Sequence, residues 1–253
     1  MVIRSQIKIP PLTGDRERRA FVYLPVGYEA SDRRYPVLYM FDGHNLFTDA
    51  EATYGKCWGL EEYLDRTRTQ IIVAAVECNH EGDNRLSEYS PVSFDFHGRR
   101  IKGRGKKYMD WLVGDFKAVI DGNFRTLSDR KNTFVAGSSM GGLMTFYALA
   151  KYGKYFSRGA ALSPSLWVSE GEIPPFITGA AFKNDCVLFT DYGSKEFKNH
   201  SPQRALFGET FKILCAKGVA VTARIVEGGT HCEASWEKEI PYFMQVLLDG
   251  RED

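Results

Sequence analysis

Six short apolar runs set the strongest limit on what this chain can fold into. They are YPVLYMFD (35–42), TQIIVAAVE (69–77), NTFVAG (132–137), RGAALS (158–163), CVLFTDYG (186–193) and VAVTARIVEGG (219–229). Most lack the alternation of a strand with one wet face, so they read as strands buried on both faces of a parallel sheet. Amphipathic segments separate several of them. Residues 106–124 carry apolar side chains at 108, 109, 112, 116, 119 and 120, and further helices are expected over 142–153, 202–218 and 233–250. Gly218 closes the third as a C-cap, and Pro241 imposes a kink or a late start on the last. Two alternating segments at the start, VIRSQIKI and RRAFVYLP, are joined by the turn-like PPLTGD and predict an antiparallel pair at one edge. The expected fold is α/β: a mostly parallel, doubly wound sheet with an antiparallel N-terminal edge and helices on both faces.

No repeat, low-complexity block or Pro/Ser-rich linker divides the 253 residues, so a single domain over 1–253 is expected. The net charge of +1 argues against a nucleic-acid or anionic-membrane partner. The basic run GRRIKGRGKK (98–107) reads as a solvated loop. Without an apolar leader or a run of about 18 apolar residues, no membrane association and a cytoplasmic location are expected. The five cysteines are odd in number and include no CxxC or Cys/His pair at zinc spacing, which argues against a disulfide scaffold or a metal centre. Residues 79–107 carry little regular pattern, and a segment that long is expected to help shape a pocket.

In such a sheet, reactive groups sit in the loops at the carboxyl ends of the strands. After NTFVA comes Gly137-Ser138-Ser139-Met140-Gly141-Gly142, followed at once by a helical segment. Only Ser139 has glycine two residues before and two after. That G-x-S-x-G spacing suits a nucleophile on a strained strand-to-helix turn, where neighbouring side chains would block closure. The three-position pattern arises by chance in roughly one chain in eight, so its place between strand and helix carries the weight. The alternative is a glycine-rich packing turn.

A serine nucleophile needs a base, and the base an orienting acid. Of five histidines, only His200 and His231 follow Ser139. His231 lies in GGTHCEASW after the last strand, where a base belongs; His200 sits in a polar loop and reads as solvent-exposed. Cys232 beside it reads as a packing thiol. Asp191 and Glu196, in CVLFTDYGSKEF, compete as the acid. The loop after the third strand, FDGHNLF (41–47), offers the N–H of His44 as an oxyanion donor, paired with the N–H of Met140. Asp42 either pins this loop or meets substrate. A metal site from Asp42, His44 and Asp49 is the lesser reading. Trp58, Ser138 and Trp167 are further candidate substrate contacts, and Arg85 and Glu88 are a candidate ion pair.

Taken together, YPVLYMFDGHNLF, RLSEYSP, VAGSSMGGL, LSPSLW, DYGSKEF and GGTHCEASWEKEIPYFMQVLL resemble the putative esterase family of α/β-hydrolases from about residue 18 to the last helix. That family includes feruloyl esterases, enterochelin esterases, S-formylglutathione hydrolases and mycolyl transferases. The resemblance implies an α/β-hydrolase fold and a serine carboxylic ester hydrolase. Ser139 matches the family nucleophile, and His231 matches the base in its G-G-x-H-x-x-x-x-W context. Gly193-Ser194-Lys195-Glu196 fits the family's G-x-x-[DE], which selects Glu196 as the acid. Asp42-Gly43 stands where many relatives have His-Gly. A small-molecule ester substrate is implied, with no cofactor and no metal. The rivals are an acyltransferase using the same triad and a non-catalytic binding module on a hydrolase scaffold.

Overall fold

The computed structural model describes residues 1–169, 173–197 and 201–250; the reading of His200 lies outside them. The strands are β1 (Val2–Lys8), β2 (Glu17–Tyr23), β3 (Val37–Met40), β4 (Ile72–Val76), β5 (Phe94–Phe96), β6 (Arg99–Ile101), β7 (Thr133–Ser138), β8 (Arg158–Leu162), β9 (Val187–Gly193) and β10 (Ala220–Val226). Eight of them form one sheet in the order β1-β2-β4-β3-β7-β8-β9-β10. From β4 to β10 every neighbouring pair is parallel. The β1–β2 and β2–β4 pairs are antiparallel. This is the mostly parallel, mixed sheet of the α/β-hydrolase fold. The chain reverses its direction of winding at β3, which lies between β4 and β7, and a crevice opens at such a switch point.

The missing alternation in the central runs has a direct cause. Val37 and Tyr39 of β3 pack into one apolar layer, whereas Leu38 and Met40 pack into the other. On one face lie Met109, Phe116, Leu143 and Met144, from helices Gly105–Trp111 and Met140–Lys151 and the π-helical turn between Trp111 and Lys117. On the opposite face lie Leu60, Leu64, Phe243 and Leu247, from helices Leu60–Thr67 and Ile240–Leu248. Each large aliphatic or aromatic side chain buried this way contributes about 1.5–3 kcal/mol. The last strand differs: β10 is the sheet edge and is only partly covered.

The predicted helix over 106–124 forms in three pieces, Gly105–Trp111, a π-helical turn Leu112–Phe116, and Lys117–Asn123. The π turn widens the spiral, and Trp111 stacks on Phe116 five residues later, with ring centroids 5.4 Å apart. Pro241 sits in the first turn of Ile240–Leu248, so the last helix starts late. Two expectations need correction. Residues 79–107 are structured, holding the short helix Asn84–Glu88 and the β5–β6 hairpin. The basic run is likewise not a loop: it supplies β6 and the first turn of the next helix, while Arg99 and Arg100 point outward to pair with Asp83 and Asp95. Among the described residues no helix is long and apolar enough to cross a membrane.

Candidate active site

The turn after β7 places Ser139 at φ 58°, ψ −120°, outside the regions an L-residue prefers. Holding it there costs of the order of 1–3 kcal/mol. The flanking glycines make it possible. A Cβ on Gly137 would stand 2.9 Å from the Gly141 carbonyl carbon and from Phe41 Cδ2, and a Cβ on Gly141 would stand 2.9 Å from Phe41 Cβ. The Ser139 N–H donates to Leu162 O at 2.9 Å, which ties the turn to β8. Its Oγ is partly exposed and lies 3.3 Å from Ser165 Oγ. Asp42 and Ser163, at the carboxyl ends of β3 and β8, also have positive φ, at 56° and 43°. Backbone strain is thus concentrated around one end of the sheet.

Two strands further along, the His231 Nδ1–H donates to Glu196 Oε2 at 2.6 Å. Glu196 follows β9, and His231 follows β10. Burial would push the Glu196 carboxyl up, but hydrogen bonds from His231, Ser163 Oγ and the Gly193 N–H outweigh it and hold the group below its ordinary range. Trp236 supports both partners. Its indole N–H donates to Ser163 Oγ at 3.0 Å, and its ring meets the His231 imidazole edge-on at 5.1 Å. Ser139 and His231 line one cavity of about 250 Å³ with His44, Asn45, Ser138 and Glu233. No hydrogen bond joins Ser139 to His231 among the described residues. A second cavity, about 330 Å³, also touches His231 and is lined by Ser165, Trp167, Tyr192, Lys195 and Glu196.

The loop after β3 closes the first cavity. Gly43 packs so tightly that a Cβ there would lie 2.8 Å from Phe21 Cδ2 and 3.0 Å from Ala75 Cβ. The N–H groups of His44 and Met140 donate to no partner among the described residues. The His44 ring is buried and its Nε2 faces Thr53 Oγ1 at 2.9 Å, while Nδ1 has no partner. Burial, opposed by Asp42, lowers its pKa to about 4, so the ring is neutral at pH 7.

Several predicted contacts fall elsewhere. Asp42 does not meet the cavity: both carboxylate oxygens are taken by Arg85, at 2.8 and 2.7 Å, and the residue is buried. Arg85 therefore does not pair with Glu88. Arg18 of β2 reaches Glu88 instead, with two bonds of 2.8 Å in the interior. Trp58 is 2% exposed and packs against Trp236 and Phe243, so it belongs to the core and not to a pocket. Trp167 lines the second cavity and is braced by Phe94 and Phe96 of the hairpin, and Arg85 lines the first, so residues 79–107 bear on both. Asp191 is buried beneath Ser163, whose N–H it accepts at 3.0 Å, away from His231. The sequence pattern gives no sign of Ser163, which bonds Glu196, or of Glu233, Asn45 and Tyr54, which line the first cavity. The first lies within LSPSLW, and the others carry no spacing signal.

A family model described as Putative esterase matches residues 13–241. The uncharacterized protein YbbA of Bacillus subtilis is 27% identical over 200 residues, covering 78% of this chain and 76% of its own length. An endo-1,4-beta-xylanase/feruloyl esterase of Xylanibacter ruminicola is 25% identical over 90% of this chain, which spans only 29% of that protein. Among solved structures, an IroE-like serine hydrolase from Shewanella oneidensis matches with a TM-score of 0.74 at 19% identity, over 100% of this chain and 81% of that one. A ferulic acid esterase matches with a TM-score of 0.70 at 19% identity, over 98% and 97%. At these identities the structural likeness speaks for the fold.

Proposed function

We propose, from the premise that this chain belongs to the Putative esterase family, that it hydrolyses small carboxylic esters through an acyl-enzyme on Ser139. Ester hydrolysis comes with the family; the residue roles rest on the geometry. Ser139 Oγ attacks the ester carbonyl as His231 Nε2 takes its proton. Glu196 holds the imidazole in the tautomer that leaves Nε2 free and stabilises the imidazolium that forms. The oxyanion is received by the N–H groups of His44 and Met140, with the N-terminus of helix Met140–Lys151 behind it. His231 then protonates the leaving alcohol. Water then attacks the acyl carbon and gives a proton to His231, which passes it to Ser139 Oγ as the serine–acyl bond breaks and the acid leaves.

The observation that carries this reading is the Glu196–His231 hydrogen bond, with its imidazole and the strained Ser139 lining one cavity. Hydrolysis is favoured over transfer to an alcohol because 46% of the His231 side chain is exposed, so water reaches the acyl-enzyme. The two cavities that touch His231 suit the two halves of an ester. Relatives named for feruloyl and enterobactin esters suggest where a substrate screen should begin. The test is labelling by a fluorophosphonate probe, with turnover of acetyl, butyryl, feruloyl and catecholate-siderophore esters. Ser139→Ala should abolish labelling and lower kcat about 10⁴-fold or more. Full turnover by that variant would sink the reading.

A further inference from the structure

We propose that His44, Cys78 and His80 form a binding site for a borderline-soft transition-metal ion, best met by Zn²⁺, and that filling it slows ester turnover. The ligand atoms of the three side chains all lie within 4.8 Å of one another. Adjacent parallel strands bring them together. Met40 of β3 pairs with Ala75 of β4, His44 follows the first strand, and Cys78 and His80 follow the second. The spacing Cys-x-His puts two ligands on one side of a single loop, and the third comes from its neighbour.

A second observation points independently to a ligand. His44 Nδ1 is fully buried and has no hydrogen-bond partner, while Nε2 of the same ring is occupied by Thr53. Buried ring nitrogens are nearly always satisfied, so an orphan beside a free thiol and a second imidazole calls for an explanation. Cys78 is a buried free cysteine, and the His80 side chain is 48% exposed, which gives an ion a way in. Glu77, held by Arg19, places Oε2 3.6 Å from His80 Nε2 and so adds negative charge beside the site. One sulfur and two nitrogens, with a fourth position left to water, is a donor set that zinc accepts.

On binding, the Cys78 thiol gives its proton to solvent and Sγ bonds the metal, while both imidazoles bind through neutral nitrogens. With metal–sulfur and metal–nitrogen bonds of about 2.3 and 2.0 Å, the ligand atoms must draw in by up to about 1 Å. His44 is pulled toward Cys78, and the oxyanion donor on its backbone moves with it. A misplacement of that size is enough to cost about 10²-fold in rate. The binding claim stands by itself; the effect on turnover rests on the oxyanion role given to His44 above.

The test is a titration with Zn²⁺ and with Co²⁺, using the full chain in wild-type and Ser139→Ala forms. One metal per chain is expected, and the cobalt adduct should show a thiolate charge-transfer band with tetrahedral visible bands. Cys78→Ser should remove the thiolate band. His80→Ala, at an exposed position that leaves the core intact, should weaken binding at least tenfold. Zinc should inhibit wild-type turnover, and its inhibition constant should rise at least tenfold in His80→Ala, each variant being compared with its own metal-free rate. No stoichiometric binding at micromolar metal would overturn the site. Equal binding or inhibition in wild-type, Cys78→Ser and His80→Ala would also overturn it, by placing the ion on His231. Binding without inhibition would uphold the site and overturn its effect on turnover. An absence of ester turnover with metal binding intact would count against the catalytic reading alone.

Discussion

Two buried carboxylates flank the proposed nucleophile, matched in depth but not in partner. The side chains of Asp42 and Glu196 are each 7% exposed, and burial pushes both carboxyls up. Both nevertheless lie below the ordinary range, because their partners more than offset that burial. Asp42 meets a guanidinium that is always charged and takes both of its oxygens. Glu196 keeps Oε1 on Ser163 and Gly193 and turns Oε2 to a half-exposed imidazole, a group whose charge can change during turnover. The first arrangement is a clamp on the loop that bears His44; the second can follow a proton. Depth and a depressed pKa are therefore shared by the two carboxylates, and the partner is what sets the proposed acid apart.

The sharpest way to break this contrast is Glu196→Gln. It should lower kcat by about 10³–10⁴-fold while thermal stability changes little, as measured by steady-state kinetics and a melting curve. An equal loss from Asp42→Asn would erase the distinction. Arg85→Ala should act the other way. It leaves the Asp42 charge buried and unpaired, at a cost of about 3–5 kcal/mol in urea unfolding, and adding Asp42→Ala should restore part of it. The sign with pH follows from the depressed carboxyl. Its stabilisation is present above the unfolded pKa, near 4, and is lost as pH falls through the folded value, so the gap between wild type and Arg85→Ala should narrow in acid.

Asp191 is a third case, at the same end of the sheet: its register neighbour Arg224 on β10 pairs with Glu239 and opposes the burial only weakly. Burial pushes its pKa up to about 8, opposed by the Ser163 N–H and reinforced by Glu239 and Glu196. Here the folded state holds the extra proton. Stability is full below the unfolded pKa, near 4, and is lost as pH rises toward 8. Asp191→Asn should therefore leave unfolding at pH 4 nearly unchanged and stabilise by a few kcal/mol at pH 8. The smallest effect is expected from Ser163→Ala, which removes one of the bonds that orient Glu196. A fall in kcat of about tenfold with KM unchanged would mark Ser163 as a positioning residue.

How far the sequence could be read depends on the range of each interaction. The central strands were legible because both faces of the sheet are buried, so Val37, Leu38, Tyr39 and Met40 are all apolar. The serine turn was legible because Gly137 and Gly141 answer a local steric demand. Glu196 and His231 were legible as candidates at strand ends; their approach to each other is a tertiary fact. Pairings across the fold were not legible. Arg85 and Glu88 have a helical i,i+3 spacing, yet each has a partner more than forty residues away, one in the β3 loop and one in β2. Trp58 shows why an aromatic near a motif is weak evidence of a pocket: an indole satisfies the core equally well. The segment 79–107 looked patternless because its helix and strands are too short to show a period.

Phe41 directly follows β3, with its side chain pressed against both glycines of the serine turn. The loop bearing His44 and the turn bearing Ser139 are thereby fastened to a single ring and behave as one rigid part. Evolution cannot adjust the spacing of the two proposed oxyanion donors by loosening either loop alone, since any bulk added at 137 or 141 would push Phe41 and the donor beyond it. Variety in substrate must then be written elsewhere, in the β5–β6 hairpin and the Trp167 wall it braces, where lengths and side chains can change without disturbing the chemistry.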